Sequence, residues 1–227
     1  MSSGRKSKNN GVYDITKRVL DLVGGIVLLI IFSPVIIATV IAIKFGSQGP
    51  ILVSKTNKST KRVGKGSRTF RLYKFRSMIV DAYNLLKKDP KFKKAYKEQQ
   101  TAGNYKIMDD PRITPIGKFI RKHSIDEIPQ LINIVKGEMS LVGPRPYLPD
   151  ELVEQQKKFP LTDDLVKEML TVKPGITGYW QVSGRSDVAF DKRIEMDAYY
   201  ARKKSIWLDF LILLKTPWVM LSGQGAV

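Results

Sequence analysis

The longest apolar run of the chain covers residues 19–43, VLDLVGGIVLLIIFSPVIIATVIAI, and carries a single acid, Asp21. About 20 such residues are enough to cross a hydrocarbon layer. Ser33-Pro34 lies at the middle of the run. Proline there removes a helical hydrogen bond and crowds the preceding turn, which predicts a kink. Gly24 and Gly25 add flexibility near the start. After a turn at residues 46–50, β-like residues recur at 51–56 and 68–75 around a Gly/Ser/Lys-rich stretch, which predicts a β-hairpin with a long basic loop. Residues 78–100 have a helical pattern, residues 108–115 read as a loop, and residues 116–122 begin a short amphipathic stretch. Ile125, Ile128, Leu131, Ile132, Val135 and Met139 fall at helical spacing. With Ser124 and Glu127 in capping-box positions, they predict a helix over 124–139. SLVGPRP, residues 140–146, reads as a short strand and a rigid turn. Gly175, Gly178 and Gly184 mark tight turns and close backbone approach. Residues 199–221 place Tyr199, Tyr200, Trp207 and Trp218 around an apolar run that Asp209, Lys215 and Pro217 interrupt. That run is too short to span; it predicts one or two helices in a membrane interface with aromatic anchors, or a buried core helix.

Charge changes this picture. The 227 residues hold 39 Lys and Arg against 21 Asp and Glu, a formal net charge of +18, with 43% hydrophobic residues. The chain therefore has material for a core and expects an anionic partner: a nucleic acid, a lipid surface or a phosphorylated substrate. It has no cysteine and one histidine, His123. Thiolate metal sites, thiol nucleophiles and multi-histidine centres are excluded. Polar chemistry must come from carboxylates, Lys and Arg, hydroxyls, backbone amides and a hard cation such as Mg²⁺.

The basic residues flank the apolar run on both sides, and no acid lies between Asp21 and Asp81. Because basic loops stay on the cytoplasmic side, a spanning helix would carry one cluster across. A re-entrant segment bent at Ser33-Pro34 keeps both clusters at the anionic inner leaflet. A single-pass anchor with a tolerated proline is the alternative.

Asp126 and Glu127 fall in the first turn of the expected helix, where the macrodipole favours carboxylates by about 0.3–1 kcal/mol. They read either as caps or as a phosphate-chemistry pair, since Arg121, Lys122 and His123 precede them and Arg145 follows between Pro144 and Pro146. Arg145 is either a surface turn residue or a guanidinium aimed at phosphate, which its fork suits. Neither a P-loop nor a dinucleotide fingerprint is present.

The run from Lys74 (KFRSM), through SIDEIPQLINIVKGEMSLVGPRP, to KPGITGYWQVSGRS resembles the bacterial sugar transferase family. These are small monotopic phosphoglycosyl transferases that begin capsule, exopolysaccharide and related glycan assembly. The resemblance covers nearly the whole chain and implies a reaction: a UDP-sugar gives its sugar 1-phosphate to a polyprenyl phosphate such as undecaprenyl phosphate, and UMP leaves. It implies Asp126 as the nucleophile of a covalent phosphosugar intermediate, with Glu127, joined by Asp126, holding Mg²⁺. Arg121 and Arg145 correspond to family residues near the phosphates, Lys74 and Arg76 are further charge stabilisers, and Arg185 joins the substrate-binding set. Ser33-Pro34 matches the family's broken re-entrant helix, and Trp207 and Trp218 are membrane anchors. The chain looks like a short form without the multi-pass region of larger relatives.

The expected fold is α+β and mostly helical. It comprises a basic segment (1–18), a re-entrant membrane helix (19–43), a compact cytosolic catalytic domain with a small β-hairpin (44–198) and C-terminal interfacial helices (199–227). The expected setting is the cytoplasmic face of a bacterial membrane, with inner-leaflet phospholipids as partners, room for a homo-oligomer and no nucleic acid. Two competitors are a membrane-tethered binder of anionic lipid or nucleic acid, and a lipid phosphotransferase in which the lipid phosphate attacks directly.

Overall fold

The computed structural model describes residues 11–53, 60–82, 85, 90–92, 110–183 and 188–221. In chain order its elements are α1 (Gly11–Ile31), α2 (Ser33–Gly46), β1 (Lys61–Val63), β2 (Thr69–Arg71), α3 (Pro115–Lys122), α4 (Gln130–Lys136), β3 (Ser140–Val142), α5 (Pro149–Lys158), α6 (Asp163–Met169), β4 (Gly175–Thr177), α7 (Tyr179–Ser183), α8 (Phe190–Lys203) and α9 (Ile206–Leu221). The α+β, mostly helical expectation holds.

The apolar run lies within a longer helical segment that is two helices, Gly11–Ile31 and Ser33–Gly46. The break falls at Phe32, one residue before Ser33-Pro34, and the helix pair is bent by 60°. Pro34 has no N–H to give the Ile30 carbonyl and its ring crowds that turn, so the helix restarts with proline in its first turn, where the missing donor costs nothing. Among the described residues no single helix is long and apolar enough to cross a membrane, whereas α1 and α2 pass that test together by length and composition.

The chain forms two compact units. One comprises Met1–Ile31, Lys55–Tyr73 and Gln130–Val227; the other comprises Phe32–Ser54 and Lys74–Pro129. In the first unit α1 packs on α4 and β3. Gly24 and Gly25 supply close approach rather than flexibility: a Cβ on Gly24 would lie 2.7 Å from Leu141 Cδ1, and one on Gly25 would touch Ile134 and Val135. Asp21 is buried in this interface and accepts from the Ser140 hydroxyl and the Leu141 amide, both at 2.9 Å. Arg18 donates to the Ile134 and Val135 carbonyls at 2.7 Å, placing a cation at the negative end of α4.

β3 and β4 pair in parallel, Ser140 opposite Gly175 and Val142 opposite Thr177. β4 was not expected. Its glycines serve the second of their two expected uses, since a Cβ on Gly143, Gly175 or Gly178 would run into the neighbouring backbone. Tyr147, Leu152, Val166, Met169, Phe190 and Ile194 fill the core beside this sheet. β1 and β2 form the hairpin, with Lys61 opposite Arg71, so β1 occupies part of the expected loop. The expected pairing of 51–56 with 68–75 survives in the second unit as one bridge, Leu52 opposite Phe75.

The second unit gathers α2, α3 and the bridged segments around Ile43, Phe75 and Ile120. Thr114 caps α3 by accepting from the Gly117 amide at 2.9 Å, with Pro115 at the first position. The expected helix over 78–100 lies largely outside the described residues.

Large apolar side chains point outward on three helices: Ile15, Val23 and Ile30 on α1, Ile37 and Phe45 on α2, and Trp207 and Trp218 on α9. α9 is one continuous helix with Pro217 inside it. Two of its residues, Asp209 and Ile212, are buried.

Candidate functional site

The expected helix over 124–139 is not continuous. α3 ends at Lys122, Ser124 adopts a left-handed backbone (φ 55°), and Ile125–Glu127 forms a 3-10 turn. Ser124 makes no side-chain cap, so the capping-box reading fails. Pro129 explains the interruption: it lacks the N–H that an α-helix begun at Ser124 would need, and the turn closes instead through the Ile128 amide on the Ile125 carbonyl at 3.1 Å. α4 starts only at Gln130. The Asp126-Glu127 pair is therefore held on a tight turn behind a strained residue, an arrangement that costs about 1–2 kcal/mol and persists where surrounding contacts fix it.

Those contacts come from the segment carrying Lys74. The Phe75 amide donates to the Asp126 carbonyl at 3.0 Å. The Lys74 ammonium then lies 2.8 Å from Asp126 Oδ2 and 3.4 Å from Glu127 Oε1. Asp126 is only 3% exposed, whereas the Glu127 side chain is 43% exposed. Burial pushes the Asp126 carboxyl above the usual aspartate range, and Lys74 works against it. Burial also disfavours the Lys74 ammonium, but Glu127 and Asp126 outweigh it and raise its pKa, so Lys74 is charged at neutral pH. Arg121, exposed in the last turn of α3, adds positive field at both groups.

Chemically, this is a carboxylate with one oxygen held by an ammonium and the other without a hydrogen-bond partner among the described residues. Lys74, expected as an accessory charge, is the group that orients the pair. No cluster of three or more acidic or histidine side chains suited to a metal occurs among the described residues. The dyad nevertheless suits Mg²⁺, which binds through one or two carboxylates and takes its remaining ligands from water and substrate phosphates. Glu127 offers the accessible oxygens.

Arg76 is 5% exposed, and each of its guanidinium nitrogens donates: Nε to the Pro50 carbonyl at 2.6 Å, Nη1 to the Ser47 hydroxyl at 2.8 Å and Nη2 to the Ser47 carbonyl at 2.9 Å. It clamps the turn after α2. Arg185 lies outside the described residues.

Arg145 belongs to the first unit. Its amide donates to Asp197 Oδ2 at 3.4 Å, and its guanidinium faces the Tyr147 and Trp180 rings, 5.8 Å from each centroid. Arg193 covers Trp180 at 4.9 Å. Asp197 is fully buried, and burial drives its carboxyl well above the usual range against the pull of the Arg145 amide and Arg193. Arg145 Nε, Tyr147 OH, Trp180 Nε1, Arg193 Nε and Asp197 Oδ1 are all buried without a partner among the described residues. Sequence reading missed Asp197, Arg193 and Trp180. A signal existed: Asp197 lies on the same stripe of α8 as Ile194, Ala198 and Ala201, and an acid on a buried stripe needs a reason.

Comparison with known proteins adds to this geometry. Residues 12–223 match the family model described as bacterial sugar transferase. The chain is 46% identical over 213 residues to the galactosyl transferase CpsE of Streptococcus agalactiae serotype III, covering 93% of this chain and 43% of that protein. It is 42% identical over 214 residues to the undecaprenyl-phosphate galactose phosphotransferase of Salmonella typhimurium, covering 92% and 41% respectively. It is 39% identical over 210 residues to the exopolysaccharide production protein ExoY of Sinorhizobium fredii, covering 92% and 87%. The chain thus spans about two fifths of the first two relatives, at 43% and 41% of their length, and most of the third.

Proposed function

Because the chain belongs to the bacterial sugar transferase family, we propose that it transfers a sugar 1-phosphate from a UDP-sugar to a polyprenyl phosphate, releasing UMP, at the cytoplasmic face of a bacterial membrane. The observation that carries this reading is the Asp126 carboxylate, buried and gripped through Oδ2 by Lys74. The names of the relatives, which specify undecaprenyl phosphate and galactose, supply the substrate class and the first donor to test.

In the first step an Asp126 oxygen forms a bond to the sugar-bearing phosphorus, the bond from that phosphorus to the UMP oxygen breaks, and UMP leaves with the electron pair. In the second step a polyprenyl phosphate oxygen forms a bond to the same phosphorus, the acyl phosphate bond breaks, and the Asp126 carboxylate returns. Lys74 and Arg121 reduce the repulsion between the carboxylate and an anionic diphosphate. Glu127, joined by Asp126, would hold Mg²⁺, which neutralises phosphate charge. Splitting the transfer lets a soluble donor and a lipid acceptor use one carboxylate in turn. The outward apolar side chains of α1, α2 and α9 support a bilayer-seated enzyme, with the α1–α2 break serving a re-entrant path.

The test is a single turnover with UDP-galactose in the absence of acceptor. The wild type should release UMP in proportion to enzyme and leave a phosphosugar on the protein, and Asp126→Asn should release none. Normal UMP release by that variant, or sequential kinetics without an adduct, overturns the covalent step. Glu127→Gln should shift the Mg²⁺ titration to higher metal; an unchanged titration removes its assignment.

A further inference from the structure

The first unit contains a pocket of about 180 Å³ that includes neither Asp126 nor Glu127. Its walls come from the first turns of α1, from β3, from the chain around Lys65 and Lys173, and from the end of α8. Five cations line it: Lys17, Arg18, Lys65, Lys173 and Lys204. Two carboxylates, Asp14 and Asp21, line it as well.

These charges are not evenly matched. Lys204 pairs with Asp14 at 3.3 Å. Lys17 pairs with Asp21 at 3.2 Å and with Asp209 of α9 at 3.1 Å. Arg18 donates to the carbonyls of Ile134 and Val135 at the end of α4 and has no carboxylate partner among the described residues. The ammonium groups of Lys65 and Lys173 have no ion-pair or hydrogen-bond partner among the described residues. Lys173 is half-buried, and burial, then the nearby Arg18 and Lys65, disfavour its ammonium more than Asp21 and Asp14 favour it. A partly desolvated ammonium beside two uncancelled cations is an arrangement that an anion would relieve. Tyr13, Ser140 and Tyr200 also line the space, with hydroxyls that donate to Asp209, Asp21 and Val142 respectively.

The surroundings of the pocket give a second observation. On α1, Val12, Ile15 and Val19 are exposed around the lining residues, and on α9 exposed Trp207 and Phe210 stack at 5.6 Å beside Asp209, whose carboxylate reaches Lys17 and Tyr13. A polar, cationic pocket is thus flanked by outward apolar and aromatic side chains, the pattern of a headgroup-level position.

We infer that this pocket is a phosphate-binding site, separate from the transfer chemistry, in which Lys173, Lys65 and Arg18 receive a phosphate group carried by an anionic lipid headgroup or by a soluble phosphate compound. The inference does not depend on the catalytic assignments above.

The experiment uses the full chain in neutral detergent with no sugar donor present. Thermal midpoints are followed against inorganic phosphate, with chloride at matched ionic strength as reference. They are followed again in mixed micelles containing phosphatidylglycerol or phosphatidylcholine. Phosphate should raise the midpoint saturably. Lys173→Met and Lys65→Gln, the latter at an exposed residue, should each weaken the apparent affinity about tenfold, the loss of one charge-assisted contact. Asp14→Asn, which frees Lys204, should tighten it. Competition by phosphatidylglycerol in the wild type and not in the lysine variants identifies a headgroup as the source; a phosphate response without such competition identifies a soluble compound. No saturable response beyond chloride, or an equal response in wild type and both lysine variants, overturns the site. A failed transfer assay has no bearing on any arm.

Discussion

At the residue scale, Lys74 and Arg76 show what charge alone conceals. Both were legible as cations beside a phosphate motif, yet one orients Asp126 and the other is consumed by the Ser47–Pro50 turn. Composition and spacing say how many donors a segment carries, not which backbone carbonyls consume them. Lys74→Met should lower UMP release about 10²-fold, the order expected for removing one preorganised charge stabiliser. It should also cost about 1–3 kcal/mol in chemical denaturation, because a buried carboxylate is left unpaired. A variant with normal single-turnover release would remove Lys74 from the site. Asp197 makes a pH prediction. Its folded pKa is raised by burial, so the stability it contributes is complete below the pKa of an unfolded aspartate and is lost as pH rises through the folded value. Asp197→Asn should flatten the decline in thermal midpoint from acid toward neutral pH. Parallel profiles would mean that the carboxyl is not held protonated.

At the element scale, the long apolar run and its break near Ser33-Pro34 could be read from the sequence, and a hairpin could be expected, though its first strand lies at Lys61–Val63 rather than at 51–56. Element type failed where local pattern and tertiary contact disagree. Residues 124–139 have helical spacing throughout, but Pro129 divides them and leaves the dyad on a 3-10 turn, which periodicity cannot register. β4 is three residues long and begins at a glycine, so propensity argues against it; it exists because Gly143, Gly175 and Gly178 let two backbones approach without side chains between them. Gly175→Ala should therefore cost about 3 kcal/mol or more, since its Cβ would meet backbone rather than a side chain that can yield. Denaturant midpoints would measure this, and a loss near the ordinary glycine-to-alanine range would show that the pair can open.

At the scale of the whole molecule, a formal charge of +18 and outward apolar helices support the proposed seat at an anionic bilayer. Trp207 and Trp218 are 67% and 77% exposed on α9. Replacing each with serine should weaken partition into phosphatidylglycerol vesicles about tenfold. Sedimentation with vesicles checks this, and unchanged partition would take α9 out of the membrane contact.

The chain weaves between its two compact units, three stretches building one and two building the other. No contiguous fragment therefore contains either unit alone: the stretch that spans the second, residues 32–129, carries part of the first as well. Severing the polypeptide after Ile31 would strip α1 from α4 and β3 and lay bare the groove into which Gly24 and Gly25 fit. Reassembly from such halves would require both pieces to fold together, so a split version of this protein should work only when the two parts are synthesised side by side.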